Sequence, residues 1–351
     1  MIEWERYGLK QLDHQIMLSL VTFIPIKYMH GMTAIKSFVI TSLRFGLPVL
    51  IAVAGIGFLA DGYTDHYYLK FTTPPQNALI VGISRAEAGL RPDVLNPALR
   101  ETYPGHSLYN FAFNLRVSPF GKVYLDAIKN KLDENSRAGI FIVAVDPWSV
   151  AAEEPGPNNA DRFAENNECL GKLTWMNTYP NFPYLFNCYN EPYITILTKR
   201  IKEQVSEQHA PRYLHNDGWL EITVPMDSLS VARRTNTTLA TYEKQFLHTY
   251  TPSATRRQYL GETIRFLKQH GDVYLVQLPV HPALAAINHL FYPAFNQFMD
   301  SIARQHQAPH FNLTGSAAAY TFIDGSHLCK ESAAAVSAEL ARLIIQYKHS
   351  R

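Results

Sequence analysis

Three places in the chain bring together residue types that acyl transfer needs. The first is Gly82-Ile83-Ser84-Arg85, directly after a short apolar run. A serine there can serve as nucleophile if a base takes its proton, and otherwise it is an ordinary helix N-cap. The second is Asp324-Gly325-Ser326-His327-Leu328 near the other end of the chain. An Asp three residues before a His can orient the imidazole and stabilise its protonated form, leaving the other ring nitrogen to accept a serine proton. The alternative is a surface loop with a capping Asp. The third is Tyr109–Asn114, where Asn110 or Asn114 could donate to a developing oxyanion, or could simply close a strand. Around these stand His281 beside Pro282, and Arg85 and Arg91 for an acidic group. Trp148, with Tyr179, Phe182 and Tyr184, would give a sugar-stacking platform or else core packing.

These residues need a frame. Ala78–Gly82, Gly139–Val145, Val273–Val280 and Phe311–Thr314 read as short buried strands, and apolar spacing predicts helices over 86–99, 123–132 and 331–347. Strands alternating with helices imply an α/β fold with a mainly parallel sheet, whose ligands bind beyond the carboxyl ends of the strands. Ser84 follows the first strand, and the Asp324–His327 pair lies between the last strand and the last helix. Residues 77–351 form this domain, with an insertion over about 151–262 rich in Asn, Pro and Tyr. The chain carries 47% apolar residues and a formal charge of +2, which excludes a disordered chain and offers no bulk field for nucleic acid. Three cysteines, Cys169, Cys188 and Cys329, form no CxxC pair, so no zinc site is expected. A Cys169–Cys188 bridge stays open in an oxidising compartment.

Residues 37–60, SFVITSLRFGLPVLIAVAGIGFLA, have no charge after Arg44 and approach the roughly 20 apolar residues that span a bilayer. Gly46, Pro48, Gly55 and Gly57 suit a membrane helix better than a soluble one. Arg6, Lys10, Lys27, Lys36 and Arg44 precede or begin the span, whereas Asp61 and Asp65 follow it. The positive-inside rule then places the N-terminus in the cytoplasm and the bulk of the chain outside. No cleavage pattern follows, so the segment reads as a retained signal anchor. Residues 1–36 would be a cytoplasmic or interfacial segment, with Met32 as an alternative start, and 61–76 a stiff connector ending in Thr72-Thr73-Pro74-Pro75.

Taken in order, Gly82–Arg85, Tyr109–Asn114, Asp146-Pro147-Trp148 and Asp324–Leu328 followed by Lys330-Glu331-Ser332 resemble the sequential blocks of the SGNH/GDSL hydrolase superfamily, most of all its membrane-anchored bacterial branch. The resemblance implies a flavodoxin-like three-layer domain over Asn77–Tyr347 and a catalytic triad of Ser84, His327 and Asp324. It also implies the Ser84 N–H as an oxyanion donor, and no cofactor or metal. The family's second block supplies a glycine and its third an asparagine; here Ala112 or Phe113 and Val145–Trp148 stand in those places. The expected activity is an extracytoplasmic serine esterase or O-acyltransferase working on acylated carbohydrate or envelope polysaccharide. The other expectation is a catalytically silent module that binds glycan or partners a polytopic membrane acyltransferase.

Overall fold

The computed structural model describes residues 32–189, 191–205 and 211–350. Residues 1–31 lie outside them, while 32–36, the rest of the expected cytoplasmic or interfacial segment 1–36, already belong to the N-terminal helix. The chain divides into two compact units, Met1–Gly55 and Ile56–Arg351.

The N-terminal helix runs Met32–Gly57. Its stretch Ala34–Gly57 has a mean hydropathy of 2.0 and none of its most apolar window is buried. At 1.5 Å per residue that stretch is about 36 Å long, against about 30 Å of bilayer hydrocarbon. By length and composition it is a candidate membrane anchor or signal sequence. It ends three residues before the expected 60, because the chain turns at Phe58-Leu59-Ala60 and buries Ala60 in the core of the second unit.

That unit is an α/β domain. Its strands in chain order are β1 (Ala78–Val81), β2 (Leu108–Asn110), β3 (Gly139–Ala144), β4 (Ala151–Glu153), β5 (Arg212–Leu214), β6 (Leu220–Ile222), β7 (Tyr250–Pro252), β8 (Gly271–Gln277) and β9 (His310–Asn312). Five of them form a parallel sheet in the order β2-β1-β3-β8-β9. The chain leaves β1 in one direction to make β2 and returns in the other to make β3, so the carboxyl ends of β1 and β3 flank the reversal of strand order. Register pairs Ile80 with Ile142 and Phe141 with Val273.

Both faces of the sheet are covered, which is why its strands read as apolar runs rather than alternating patterns. Leu79, Val81, Phe141, Val143 and Leu275 pack against helices Lys122–Lys131, Ala254–Lys268 and Phe295–His306. Ile80, Ile142 and Val276 face helices Pro92–Leu99 and Lys330–His349. The last helix meets the sheet through Ala333, Val336, Leu340 and Ile344, one stripe at helical spacing.

Two expected boundaries move. Residues 61–76 are no connector: helix Tyr68–Thr72 buries Tyr68, Lys70 and Phe71 completely, so the segment belongs to the core. The insertion ends near 252 rather than 262, because helix Ala254–Lys268 lies against the sheet through Leu260, Ile264 and Leu267. Antiparallel pairing of β4 with β7 closes the neck of the insertion.

Ile142 is fully buried at the centre of the sheet. Ile142→Ala should destabilise the domain by about 2–5 kcal/mol, the usual cost of a cavity at such a site. Thermal denaturation of the full chain in detergent measures it; an unchanged midpoint would mean that this strand does not organise the core.

Candidate functional site

Gly82 follows β1 with φ +153, and a Cβ there would lie 2.9 Å from the Ala144 carbonyl and 3.0 Å from the Ala86 Cβ. Only glycine lets the chain turn so close to β3. The turn is pinned on its far side. The Tyr124 hydroxyl accepts from the Gly82 N–H at 3.0 Å and donates to the Phe111 carbonyl at 2.8 Å, while the Ser118 hydroxyl donates to the Gly82 carbonyl at 2.8 Å. Ser84 therefore enters helix Ser84–Gly89 at a fixed point beyond the sheet, and its own N–H, in the first turn, has no intrahelical carbonyl to meet.

From the other end of the chain, the loop Phe322–Leu328 arrives closed by a bridge between those two residues and by an Ile323 N–H bond to the His327 carbonyl at 2.9 Å. Gly325 takes φ +80 at its tip. Asp324 shapes the loop from within: its Oδ1 accepts the N–H groups of Ser326 at 2.9 Å and His327 at 2.8 Å. Its Oδ2 lies 2.8 Å from His327 Nδ1, and His327 Nε2 lies 2.9 Å from Ser84 Oγ. The structure thus brings Ser84, His327 and Asp324 into one hydrogen-bonded line. If the Asp324 side accepts the Nδ1 proton, Nε2 is left as the acceptor facing the serine. Burial would raise the Asp324 carboxyl, but His327 and the two N–H groups outweigh it and hold the carboxyl at about 2.

Ser84, Asp324 and His327 line an open cavity of about 940 Å³, shared with Asn114, Tyr67 and Glu87 among others. Asn114 uses its Oδ1 to accept from the N–H groups of Arg116 and Val117, which leaves its amide nitrogen as the end able to donate. Among the described residues no group of three or more His, Cys, Asp or Glu is arranged to hold a metal ion.

The remaining expected residues are not at the cavity. Asn110 is fully buried, its amide nitrogen donating to the carbonyls of Ala86, Glu87 and Leu90 and its oxygen accepting from the Ala112 N–H. With its amide hydrogens committed to these carbonyls, it caps the end of the Ser84 helix and has no donor to offer an oxyanion. Trp148 is also fully buried, stacked on Phe291 at 4.0 Å and donating to Asn288, so it is core rather than a sugar platform. Tyr184 is buried too, while Tyr179 and Phe182 gather around Phe58 and Gly57. Arg91 pairs with Asp93 and covers Trp219. Cys169 and Cys188 are free thiols.

Arg85 and His281 act one layer behind. Arg85 is buried, 3.4 Å from Asp146, and donates to Ser326 Oγ at 3.3 Å. The His281 N–H donates to the Gly325 carbonyl at 2.9 Å. Arg234, from helix Ser228–Thr241 of the insertion, donates to the Ile323 carbonyl at 2.7 Å. Three separate segments thereby hold the loop that carries His327. Tyr124, Ser118 and Arg234 escaped the sequence reading, since each acts on a backbone group far away in sequence. The same holds for the buried pair Lys70–Glu87, 3.0 Å apart, which ties the segment after the apolar helix to the Ser84 helix. Burial lowers the Lys70 ammonium and Glu87 counters it.

No protein-family model matches the chain, and no curated protein matches its sequence.

The Asp324 carboxyl lies below the roughly 3.9 of an unfolded chain. It therefore stabilises the native state above about pH 4, and that contribution drains away as pH falls towards 2. Comparison of the wild type with Asp324→Asn by thermal denaturation from pH 7 to pH 2 should show a gap that narrows through the acid range. A gap independent of pH would mean that the carboxylate carries no special charge in the fold.

Proposed function

We propose that the chain is a membrane-anchored, extracytoplasmic serine esterase or O-acyltransferase of SGNH type, acting on an acylated carbohydrate or envelope polysaccharide. The observation that carries the reading is the line from Ser84 Oγ through His327 to Asp324, set at a cavity large enough for an acylated sugar. The anchor and orientation rest on the apolar helix and on the basic residues before it.

In this reading Ser84 Oγ attacks the ester carbonyl carbon while His327 Nε2 takes the hydroxyl proton. The carbonyl oxygen becomes an oxyanion, for which the Ser84 N–H and the Asn114 amide are the available donors. Collapse breaks the bond to the alcohol oxygen, which leaves with the proton from His327, and the acyl group remains on Ser84. Water or a sugar hydroxyl then gives its proton to His327, attacks the acyl carbon and restores the serine. Asp324 holds the ring throughout and stabilises the imidazolium of each step.

The loss of Asn110 as a donor favours a second reading, a silent module that binds glycan or partners a polytopic membrane acyltransferase. Purified full-length protein in detergent, assayed with short-chain p-nitrophenyl esters, separates the two. The enzyme should show turnover that Ser84→Ala abolishes and that Asp324→Asn reduces by up to about 10⁴. His327→Ala added to Ser84→Ala should cost nothing more, because members of a triad fail together. Equal background in wild type and Ser84→Ala, with glycan binding retained, would replace the enzyme by the binding module.

A further inference from the structure

The insertion carries a surface that the proposed chemistry does not use. Trp175 is 69% exposed, Phe186 61%, Tyr179 55%, Ile194 54% and Ile201 52%, all large and apolar, where a soluble surface would scatter them singly. Tyr179 and Phe186 gather where the chain leaves the apolar helix, and Trp175 belongs to the same stretch of chain, its carbonyl accepting from the Asn181 amide at 3.2 Å.

Gly57 is the last residue of that helix, and a Cβ there would lie 2.7 Å from the Phe182 ring and 2.8 Å from the Tyr193 hydroxyl. Phe186 stacks against both rings, with centroids 6.1 Å from Phe182 and 5.5 Å from Tyr193. Tyr179 meets Phe58 edge-on at 6.0 Å and donates its hydroxyl to the Phe58 carbonyl. Helix Thr195–Val205 is drawn to the same place, since Arg200 pairs with Asp61 at 2.7 Å and Lys199 donates to the Thr64 carbonyl at 2.8 Å. That helix buries Ile196 and leaves Ile201 in the open.

We propose that this surface seats in the headgroup region of the bilayer, beside the end of the membrane helix, and is a second membrane contact of the protein. The inference rests on reading the helix as a retained anchor. A helix that crosses the hydrocarbon with Gly57 at its end puts Gly57 near the interface, and rings in contact with Gly57 and Phe58 share that depth. Tryptophan, tyrosine and phenylalanine with polar tips are the residues that settle there. Lipid is the occupant because the rings meet Gly57, the last residue of a helix whose most apolar window has nothing buried.

The test uses the full-length chain in phosphatidylcholine vesicles with and without lipids brominated on the acyl chain, which quench nearby tryptophan. Trp148 and Trp219 are buried, and Trp4→Phe removes the remaining tryptophan other than Trp175. The Trp4→Phe protein should be quenched, Trp175→Phe added to it should remove the quenching, and Phe186→Trp placed in that double variant should restore it. Protein that resists alkaline carbonate extraction yet shows no quenching at either position overturns the lipid contact while the anchor stands. Unquenched emission together with self-association assigns the surface to a second copy and overturns it as well. Release by carbonate removes the anchor reading and this inference with it.

Discussion

The Asp324 carboxylate is the constraint on which the carboxyl edge of the sheet depends. One of its oxygens organises the loop by accepting two backbone N–H groups, and the other fixes the imidazole that this loop carries. A single anion thus sets both the backbone and the ring, so the direction of His327 Nε2 follows from loop geometry instead of rotamer choice. The partner serine lies 243 residues away and is supplied by β1. Only the register of the sheet brings the two ends together.

Asp146 repeats the device at the end of β3. Its Oδ1 accepts the N–H groups of Trp148 and Ser149, and its Oδ2 faces Arg85. Lys70–Glu87 and Arg256–Glu165 are further buried pairs, each joining segments distant in sequence. Buried pairs contribute little net stability compared with well-packed apolar residues, yet loss of one partner leaves an uncompensated charge at a cost of about 3–5 kcal/mol. Their value here is positional. Wrong alignments of the Ser84 helix, the loop and the insertion would strand charges away from water.

What the sequence disclosed follows from how local each signal is. Strands covered on both faces are apolar throughout, so β1, β3 and β8 were legible, as was the stripe of the last helix. The grouping of Ser84, Asp324 and His327 was legible because Ser84 follows the first strand and the Asp324–His327 pair lies between the last strand and the last helix, at the end of an α/β sheet where ligands gather. Asn110 misled, because an Asn that caps a helix end through space looks the same in sequence as one facing a pocket. Trp148 misled similarly: its place beneath Phe291 is set by a helix more than a hundred residues later. Residues 61–76 looked like a linker because their buried Tyr and Lys are types that usually face water, and only tertiary partners reveal them as core.

The short path from Gly57 to Tyr67 has a consequence for reach. Tyr67 lines the cavity, and about ten residues separate it from the end of the apolar helix. Fully extended, ten residues cover at most about 33–36 Å. On a chain held in a bilayer, this wall of the cavity is leashed within roughly one membrane thickness of the lipid surface, and no hinge can swing it farther. On that anchored reading, a substrate meets this wall of the cavity only within that distance of the lipid.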